Sequence, residues 1–252
     1  GHDCIAVMQT GAGKSMTFQI PARLLDGVVL VISPLISLMK DQVDALAELG
    51  FRATALNSSL EWEERRRRMD AIRRGEYELV YLAPEALDGS LRGSIAEWPV
   101  SLLVVDEAHC ISQWGHDFRP DYMSLGAVAE RLGRPPILAL TATAAPEVRH
   151  DVVKQLHMRD PHVHVADVLR GNLFLEVSRT VNEERKEAAL RELLAETDGT
   201  GIVYVATVKE ADRLHAALEE EWPVAIYHGR RTAKQREEAQ DDFMAGRVRA
   251  VI

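Results

Sequence analysis

Cys4-Ile5-Ala6-Val7-Met8-Gln9-Thr10-Gly11-Ala12-Gly13-Lys14-Ser15 runs a short apolar stretch into a glycine-bearing turn that ends on a lysine and a hydroxyl. The apolar run is a strand candidate and the residues after Ser15 carry a helical pattern, so the turn joins strand to helix. Glycines there let backbone N–H groups face phosphate oxygens, and a helix N-terminus adds positive potential. Lys14 is expected to reach the β and γ phosphates, and the Ser15 hydroxyl to ligate Mg²⁺. Thr10, Gly11, Ala12, Gly13, Lys14 and Ser15 are therefore the candidate cradle for ATP. The general pattern places a glycine five residues before Gly13, where Met8 stands. A glycine turn with a chance Lys-Ser is the alternative, but it leaves the strand–turn–helix context without a reason.

Further along, Asp106-Glu107-Ala108-His109-Cys110-Ile111-Ser112-Gln113-Trp114-Gly115-His116-Asp117-Phe118-Arg119 follows the apolar run Leu102-Leu103-Val104-Val105. An Asp at a strand's C-terminal end suits Mg²⁺, and a neighbouring Glu suits the orientation or deprotonation of an attacking water. Asp106 and Glu107 fill those positions, and with Lys14 and His109 they make the candidate catalytic set. The strand ending at Asp106 is expected to lie beside the phosphate-loop strand. His109 is read as a relay between the nucleotide site and the following loop, with a satisfied core histidine as the alternative. That loop carries Gln113, Trp114, His116, Phe118 and Arg119. Trp114 and Phe118 offer π faces worth ~1–3 kcal/mol per stacked base, unless they are core residues. His116 and Arg119 suit phosphate or base contacts.

The 252 residues correspond to one or two domains, and a hydrophobic content of 46% is enough for a buried core. No apolar run approaches a membrane span of roughly 18–20 residues, and no basic-then-apolar leader argues for secretion. Cys4 and Cys110 form no CxxC pair, which excludes a zinc ribbon and suits a reducing compartment. A net charge of −9 means that nucleic acid would be gripped by a local surface, not by the overall field. The chain opens almost directly on the apolar strand candidate Cys4-Ile5-Ala6-Val7 and stops on Ala250-Val251-Ile252, as if both were cut inside a larger fold.

Strands are expected at Cys4–Met8, Val28–Ser33, Ala53–Leu56, Leu79–Leu82, Leu102–Asp106 and Ile137–Leu140. Several are apolar on both faces, as in a parallel sheet covered on both sides. Helices are expected over Ser37–Leu49, after Ser58 with Glu61 completing a capping box, and from Pro146. Pro21 is expected to kink or restart the helix that contains it. This is a doubly wound α/β domain ending near residue 165. The pattern then restarts. Asn182 caps a helix to about Glu196, Ile202–Ala206 is a strand, and Thr207 with Glu210 caps a helix to about Glu221. Val224–Tyr227 is a strand, and Thr232 with Gln235 caps a helix ending at Gly246. Between the two lies a hinge at Leu169-Arg170-Gly171-Asn172-Leu173, where Arg170 and Asn172 are either turn chemistry or hold the two lobes in register. Arg65-Arg66-Arg67-Arg68 shares a helix with acidic residues and reads as a solvated face before a nucleic-acid patch. His157, His162 and His164 have no cysteine or carboxylate cluster to support a metal site.

Taken together, these residues resemble a RecQ-type helicase of superfamily 2. The resemblance spans nearly the whole chain. It rests on Thr10-Gly11-Ala12-Gly13-Lys14-Ser15, Val31-Ile32-Ser33-Pro34-Leu35-Ile36-Ser37-Leu38-Met39-Lys40-Asp41-Gln42 and Tyr81-Leu82-Ala83-Pro84-Glu85. Further support comes from the stretch from Asp106 through Tyr122, Leu140-Thr141-Ala142-Thr143-Ala144, Arg170-Gly171-Asn172-Leu173 and Tyr227-His228-Gly229. It implies an α/β fold of two RecA-like lobes, each a parallel sheet covered by helices, the second incomplete. Their spans would be 1–168 and 176–252, with the hinge at 169–175. It implies ATP- and Mg²⁺-dependent 3′-to-5′ translocation on single-stranded DNA and unwinding of duplexes or forks in repair or recombination. The setting would be intracellular (cytoplasmic and nucleoid-associated, or nuclear), without membrane contact, and the protein a monomer. By the same resemblance Ser33 and Lys40 lie near the DNA backbone, and Thr141 and Thr143 couple ATP state to lobe movement. Gln9 stands where the family usually has Pro. The adenine-reading glutamine motif, the arginine finger and the winged-helix and zinc-binding parts of many relatives are not in this stretch. A finger is worth about 10³–10⁵ in rate, so weak ATP hydrolysis is expected of these residues alone. An RNA helicase shares the engine, and a nucleic-acid-binding scaffold with a relic motor is the alternative from another class. A metabolic kinase would need an acceptor site that nothing here resembles.

Overall fold

The computed structural model describes residues 1–57, 60–87, 91–115, 117–166 and 171–252. The chain divides into two compact units, Gly1–Leu173 and Phe174–Ile252. Among the described residues no helix is long and apolar enough to cross a membrane.

The first unit is built on β1 (Cys4–Val7), β2 (Val28–Ile32), β3 (Ala53–Leu56), β4 (Leu79–Leu82), β5 (Val100–Val105), β6 (Ile137–Thr141) and β7 (His162–Val165). They form one sheet in the order β3-β4-β2-β5-β6-β1-β7, and the pairings are parallel. The helices are α1 (Met16–Ala22), α2 (Ile36–Glu48), α3 (Trp62–Arg73), α4 (Leu91–Ser94), α5 (Leu125–Arg131) and α6 (Pro146–Gln155). All five residues of β2 are 0% exposed. Val28, Leu30 and Ile32 enter one core while Val29 and Val31 enter the other. A strand apolar on both faces thus lies mid-sheet with helices on either side, each buried Val or Leu stabilising the fold by ~1.5–3 kcal/mol.

Three expectations need correction. The strand that ends before Asp106 is not a neighbour of β1, because β6 pairs with both and lies between them. The second concerns His162–Val165, which forms an edge strand on β1. Its His-Val-His-Val pattern hides a strand because all four residues are exposed. Lastly, Pro21 does not restart α1. It sits inside a helix that ends one residue later at Ala22.

Helix boundaries follow local chemistry. Pro146 occupies the first turn of α6, where a missing N–H costs nothing. Before α3, Ser58 lies outside the described residues, and Glu61 is the N-cap residue itself and not the third helical residue. Along α3, Arg67 and Arg68 pair with Glu64, and Arg73 pairs with Asp70 and Glu97. Most of the basic run's partners are thus intrahelical carboxylates.

The second unit has α7 (Glu183–Glu196), β8 (Gly201–Ile202), α8 (Val208–Leu218), β9 (Val224–Ala225), α9 (Ala233–Met244) and β10 (Ala250–Val251). Its parallel sheet runs β8-β10-β9, with strands shorter than the apolar runs suggest. Asn182, Thr207 and Thr232 cap their helices, each side chain accepting the third residue's N–H. Thr232 and Gln235 close a full capping box. Glu210 instead turns its carboxylate to Arg213. Leu194, Ala211, Leu214, Leu218, Ile226, Ala250 and Ile252 form this unit's core. Of the hinge residues, Leu169 and Arg170 lie outside the described residues.

Candidate functional site

The carboxyl ends of parallel strands carry the site, as in open α/β sheets generally. After β1 the chain turns through Gly11 (φ +82°) and Gly13 (φ +86°), a backbone region that side chains with a Cβ avoid. Ser15 then precedes α1. Lys14 Nζ donates to the Met8 carbonyl at 3.3 Å, folding the ammonium back over the loop.

A cavity of about 360 Å³ opens there. The loop contributes Thr10, Gly11, Gly13, Lys14 and Ser15 to it, and Ser33, Asp106 and Glu107 face them. Ala12 is exposed on the loop's rim and does not line the cavity. Phe18, Leu35, Met39, Gln42 and Tyr81 complete the wall, with the Tyr81 hydroxyl donating to Gln42 Oε1 at 2.6 Å. None of these five is assigned to the site from the sequence, although Leu35, Met39, Gln42 and Tyr81 lie in the motifs quoted above; they reach it only through the strand order that places β4 and the packing of α1 and α2 on the sheet.

The acidic pair is held by its own turn. Asp106 N–H continues the β5 ladder to the Ile32 carbonyl at 2.8 Å. Glu107 sits in the left-handed region at φ +48°, at a cost of roughly 1–3 kcal/mol for a residue with a side chain. Its N–H donates to Asp106 Oδ1 at 3.0 Å. Burial pushes the Asp106 carboxyl above its ordinary value and the Glu107 charge adds to this, against the Glu107 N–H, Lys14 and Ser33. An under-compensated carboxylate beside a hydroxyl and a lysine has the donor chemistry of a hard divalent cation site.

Ser33 stands in this cavity and not on an outer face. It is 6% exposed and donates to Asp106 Oδ2 at 3.4 Å. Lys40 is exposed on α2 and takes no part in the cavity.

Because β6 separates β1 from β5, its last residue, Thr141, lies between the phosphate loop and the acidic pair. Thr141 Oγ1 donates to the Thr143 carbonyl at 3.0 Å and accepts the Thr143 N–H at 3.3 Å. His109 Nδ1 lies 2.9 Å from the same hydroxyl and 3.3 Å from Glu107 Oε2. Since the hydroxyl's proton is already given to Thr143, Nδ1 carries a ring proton and donates it to Thr141 Oγ1. His109 is buried, as a core histidine would be, and is wired to both Glu107 and Thr141, as a relay would be. Thr143 is exposed.

The loop after the acidic pair folds back on it. A Cβ on Gly115 would meet the His109 carbonyl oxygen at 2.7 Å, so only glycine fits there. Arg119 N–H donates to the Cys110 carbonyl at 2.8 Å, and its guanidinium binds Asp117 and the Pro34 carbonyl. Tyr122, fully buried, donates its hydroxyl to the Asp106 carbonyl at 3.0 Å. Sixteen residues separate these two in sequence, and no spacing rule pairs them. Trp114 projects outward at 81% exposure, and Phe118 is at the surface at 36%. Neither is a core residue. Gln113 is also exposed, and His116 lies outside the described residues. Burial, with Asp117 next in effect, pushes the Cys110 thiol up to about 12, so it is protonated.

Residues 1–152 match the DEAD/DEAH box helicase model and residues 185–252 match the helicase conserved C-terminal domain. The chain is 44% identical over 233 residues to the probable ATP-dependent DNA helicase RecS of Bacillus subtilis, covering 91% of this chain and 47% of that protein. It is 42% identical over 250 residues to the ATP-dependent DNA helicase RecQ of Bacillus subtilis, covering 98% and 42%. The chain thus spans less than half the length of either relative. The structure of the helicase MrfA bound to DNA covers all of this chain with a TM-score of 0.72, over 38% of its own length; at 16% identity, that likeness is one of fold. With the phosphate loop and acidic pair meeting in one cavity, the chain belongs to the DEAD/DEAH box helicase family.

Proposed function

We propose that this chain is the ATP-hydrolysing core of a DNA helicase that translocates on single-stranded DNA, 3′ to 5′ as its relatives' resemblance implies, and acts on cellular DNA. The observation that carries the reading is the chain of contacts Glu107–His109–Thr141, which starts in the nucleotide cavity and continues through Cys110 and Arg119 into the exposed aromatic loop. Ser15 and Asp106 would hold Mg²⁺, which when bound would neutralise phosphate charge. Lys14 faces the phosphates, Glu107 orients water, and Ser33 and Tyr122 position Asp106. Trp114 and Phe118 present stacking faces to the strand, with Gln113 and Arg119 on the same loop, and His116 is counted among the DNA contacts on its place in the sequence. Thr141 and Thr143 couple nucleotide state to movement, with 1–168, 169–175 and 176–252 as lobe, hinge and second lobe.

The test is ATP hydrolysis by the full-length protein with single-stranded DNA or RNA of the same sequence. DNA is expected to stimulate turnover at least about tenfold and RNA much less. The reverse order would favour an RNA helicase, and DNA binding without nucleotide turnover a scaffold. In the same protein, Trp114→Ala is expected to weaken single-stranded DNA binding by about tenfold, since one stacked base is worth ~1–3 kcal/mol. Unchanged affinity in a fluorescence-anisotropy titration would remove Trp114 from the DNA surface.

A further inference from the structure

We propose that Tyr81 is a positioning residue that links the aromatic loop to the phosphate loop, through its hydroxyl bond to Gln42 on α2 and its ring contact with Phe18 on α1. Tyr81 lies on β4 and is 2% exposed, with its hydroxyl donating to Gln42 Oε1 at 2.6 Å. Its ring meets the Phe18 ring edge-on, with centroids 6.3 Å apart and planes at 77°. All three side chains line the nucleotide cavity. A hydroxyl facing such a cavity could take water as its partner, so burial alone does not dictate a direct bond to a glutamine 39 residues away.

Each contact leads further. On the α1 side, the Phe18 and Gln19 N–H groups donate to the Ser15 carbonyl at 3.3 and 3.0 Å. The Phe18 ring is therefore anchored one turn from the end of the phosphate loop. On the α2 side, the helix that carries Gln42 starts just after Pro34 and Leu35. The Pro34 carbonyl accepts from the Arg119 guanidinium of the aromatic loop at 3.3 Å. Backbone bonds of α2 join the two ends, beginning with the Met39 N–H to the Leu35 carbonyl at 3.2 Å. The contacts thus run Arg119–Pro34–α2–Gln42–Tyr81–Phe18–Ser15. This route leaves the loop at Arg119, as the contacts through Cys110 do, but it arrives at the phosphate side of the cavity and not at the acidic pair.

A strand that moves the aromatic loop would shift α2, and the Tyr81 hydroxyl would carry that shift to α1 and Ser15. Loss of the hydroxyl leaves both helices packed but free to move separately. The inference rests on the motor reading above, because it needs DNA to act through the loop. Contiguity is not coupling, which only an energetic measurement establishes.

The experiment measures ATP turnover of the full-length protein with and without saturating single-stranded DNA. The ratio of the two rates is the readout, because a variant that is merely less fully folded lowers both rates alike. Tyr81→Phe keeps the ring and removes the hydroxyl, and is expected to lower the ratio at least about fivefold while DNA affinity stays within about twofold of the parent. Gln42→Leu is expected to lower the ratio equally, and the double variant no further, since both changes remove the same bond. Should Gln42→Leu fail to fold, Tyr81→Phe decides alone, its ring filling the same core volume. An unchanged ratio in Tyr81→Phe, or losses that simply multiply in the double variant, would overturn the proposal. A parent whose turnover DNA does not stimulate would instead sink the motor reading, and the route with it.

Discussion

Lys14→Ala is expected to lower ATP turnover of the full-length protein at least about a hundredfold. Removing one preorganised donor from a site of developing charge typically costs about 10²–10³ in kcat, and phosphoryl transfer depends almost entirely on positioning and charge. Lys14 is the phosphate-loop cation in the cavity, and its side chain makes one bond within the loop, to the Met8 carbonyl. Its loss also takes a countercharge from Asp106, whose carboxyl burial already pushes upward, so the metal position suffers with the phosphate position. The fold should not respond, because Lys14 is only half-buried and closes no core contact. Steady-state hydrolysis with saturating DNA, beside a melting curve, separates the two effects. Turnover within about threefold of the parent, in a folded variant, would remove Lys14 from the chemistry. Glu107→Gln is the companion: it keeps the shape and removes the charge, so nucleotide binding should survive while hydrolysis falls on a similar scale.

The largest stability effect is expected at Asp3→Ala, at about 3–5 kcal/mol. Asp3 is 5% exposed and is a hub for three segments. It accepts from both terminal nitrogens of Arg134, from the Ile137 N–H at 2.9 Å and from the Arg159 N–H at 2.7 Å. These bonds tie the start of β1 to the start of β6 and to the turn after α6. Truncation leaves a guanidinium whose side chain is 11% exposed without its buried partner, along with two backbone donors. Breaking such a pair costs far more than the pair itself is worth.

The same residue predicts a pH dependence. Burial pushes the Asp3 carboxyl up, but the Arg134 guanidinium and the two backbone N–H groups outweigh it, so the net shift is below the ordinary 3.8. A depressed folded value means that the contribution is complete above the unfolded value and is lost as pH falls through the folded one. Urea unfolding at about pH 7 should show the full gap between parent and Asp3→Ala, and the gap should close progressively below about pH 4. A gap under about 1 kcal/mol at neutral pH, or one that does not change with acid, would contradict this account.

Much of the fold was legible in the chain because its signals are local. An apolar run such as Val28–Ile32 has to be buried on both faces, and Asn182, Thr207 and Thr232 each satisfy a helix N–H three residues away. The phosphate loop is equally local, since glycines, lysine and serine act within one turn. Where the signal was not local, the reading failed. His162–Val165 pairs with β1 although none of its side chains is buried, because backbone hydrogen bonds alone place an edge strand. The contact of Ser33 with Asp106 was likewise not legible, because it depends on β2 and β5 being neighbours that end level with each other.

The sequence by itself determined that a parallel α/β core carries a phosphate loop, an acidic pair and an aromatic segment. Each is a contiguous run whose chemistry depends on residues a few positions apart. Only the tertiary structure decided how they are joined. Strand order sets β6 between β1 and β5, and that puts Thr141 against His109. A left-handed Glu107 and a Cβ-free Gly115 then let the loop fold back on the acidic pair, bringing Tyr122 to Asp106 and Asp117 to Cys110. Such contacts arise from the sum of many weak packing and backbone terms over the whole sheet, and no window of sequence contains that sum.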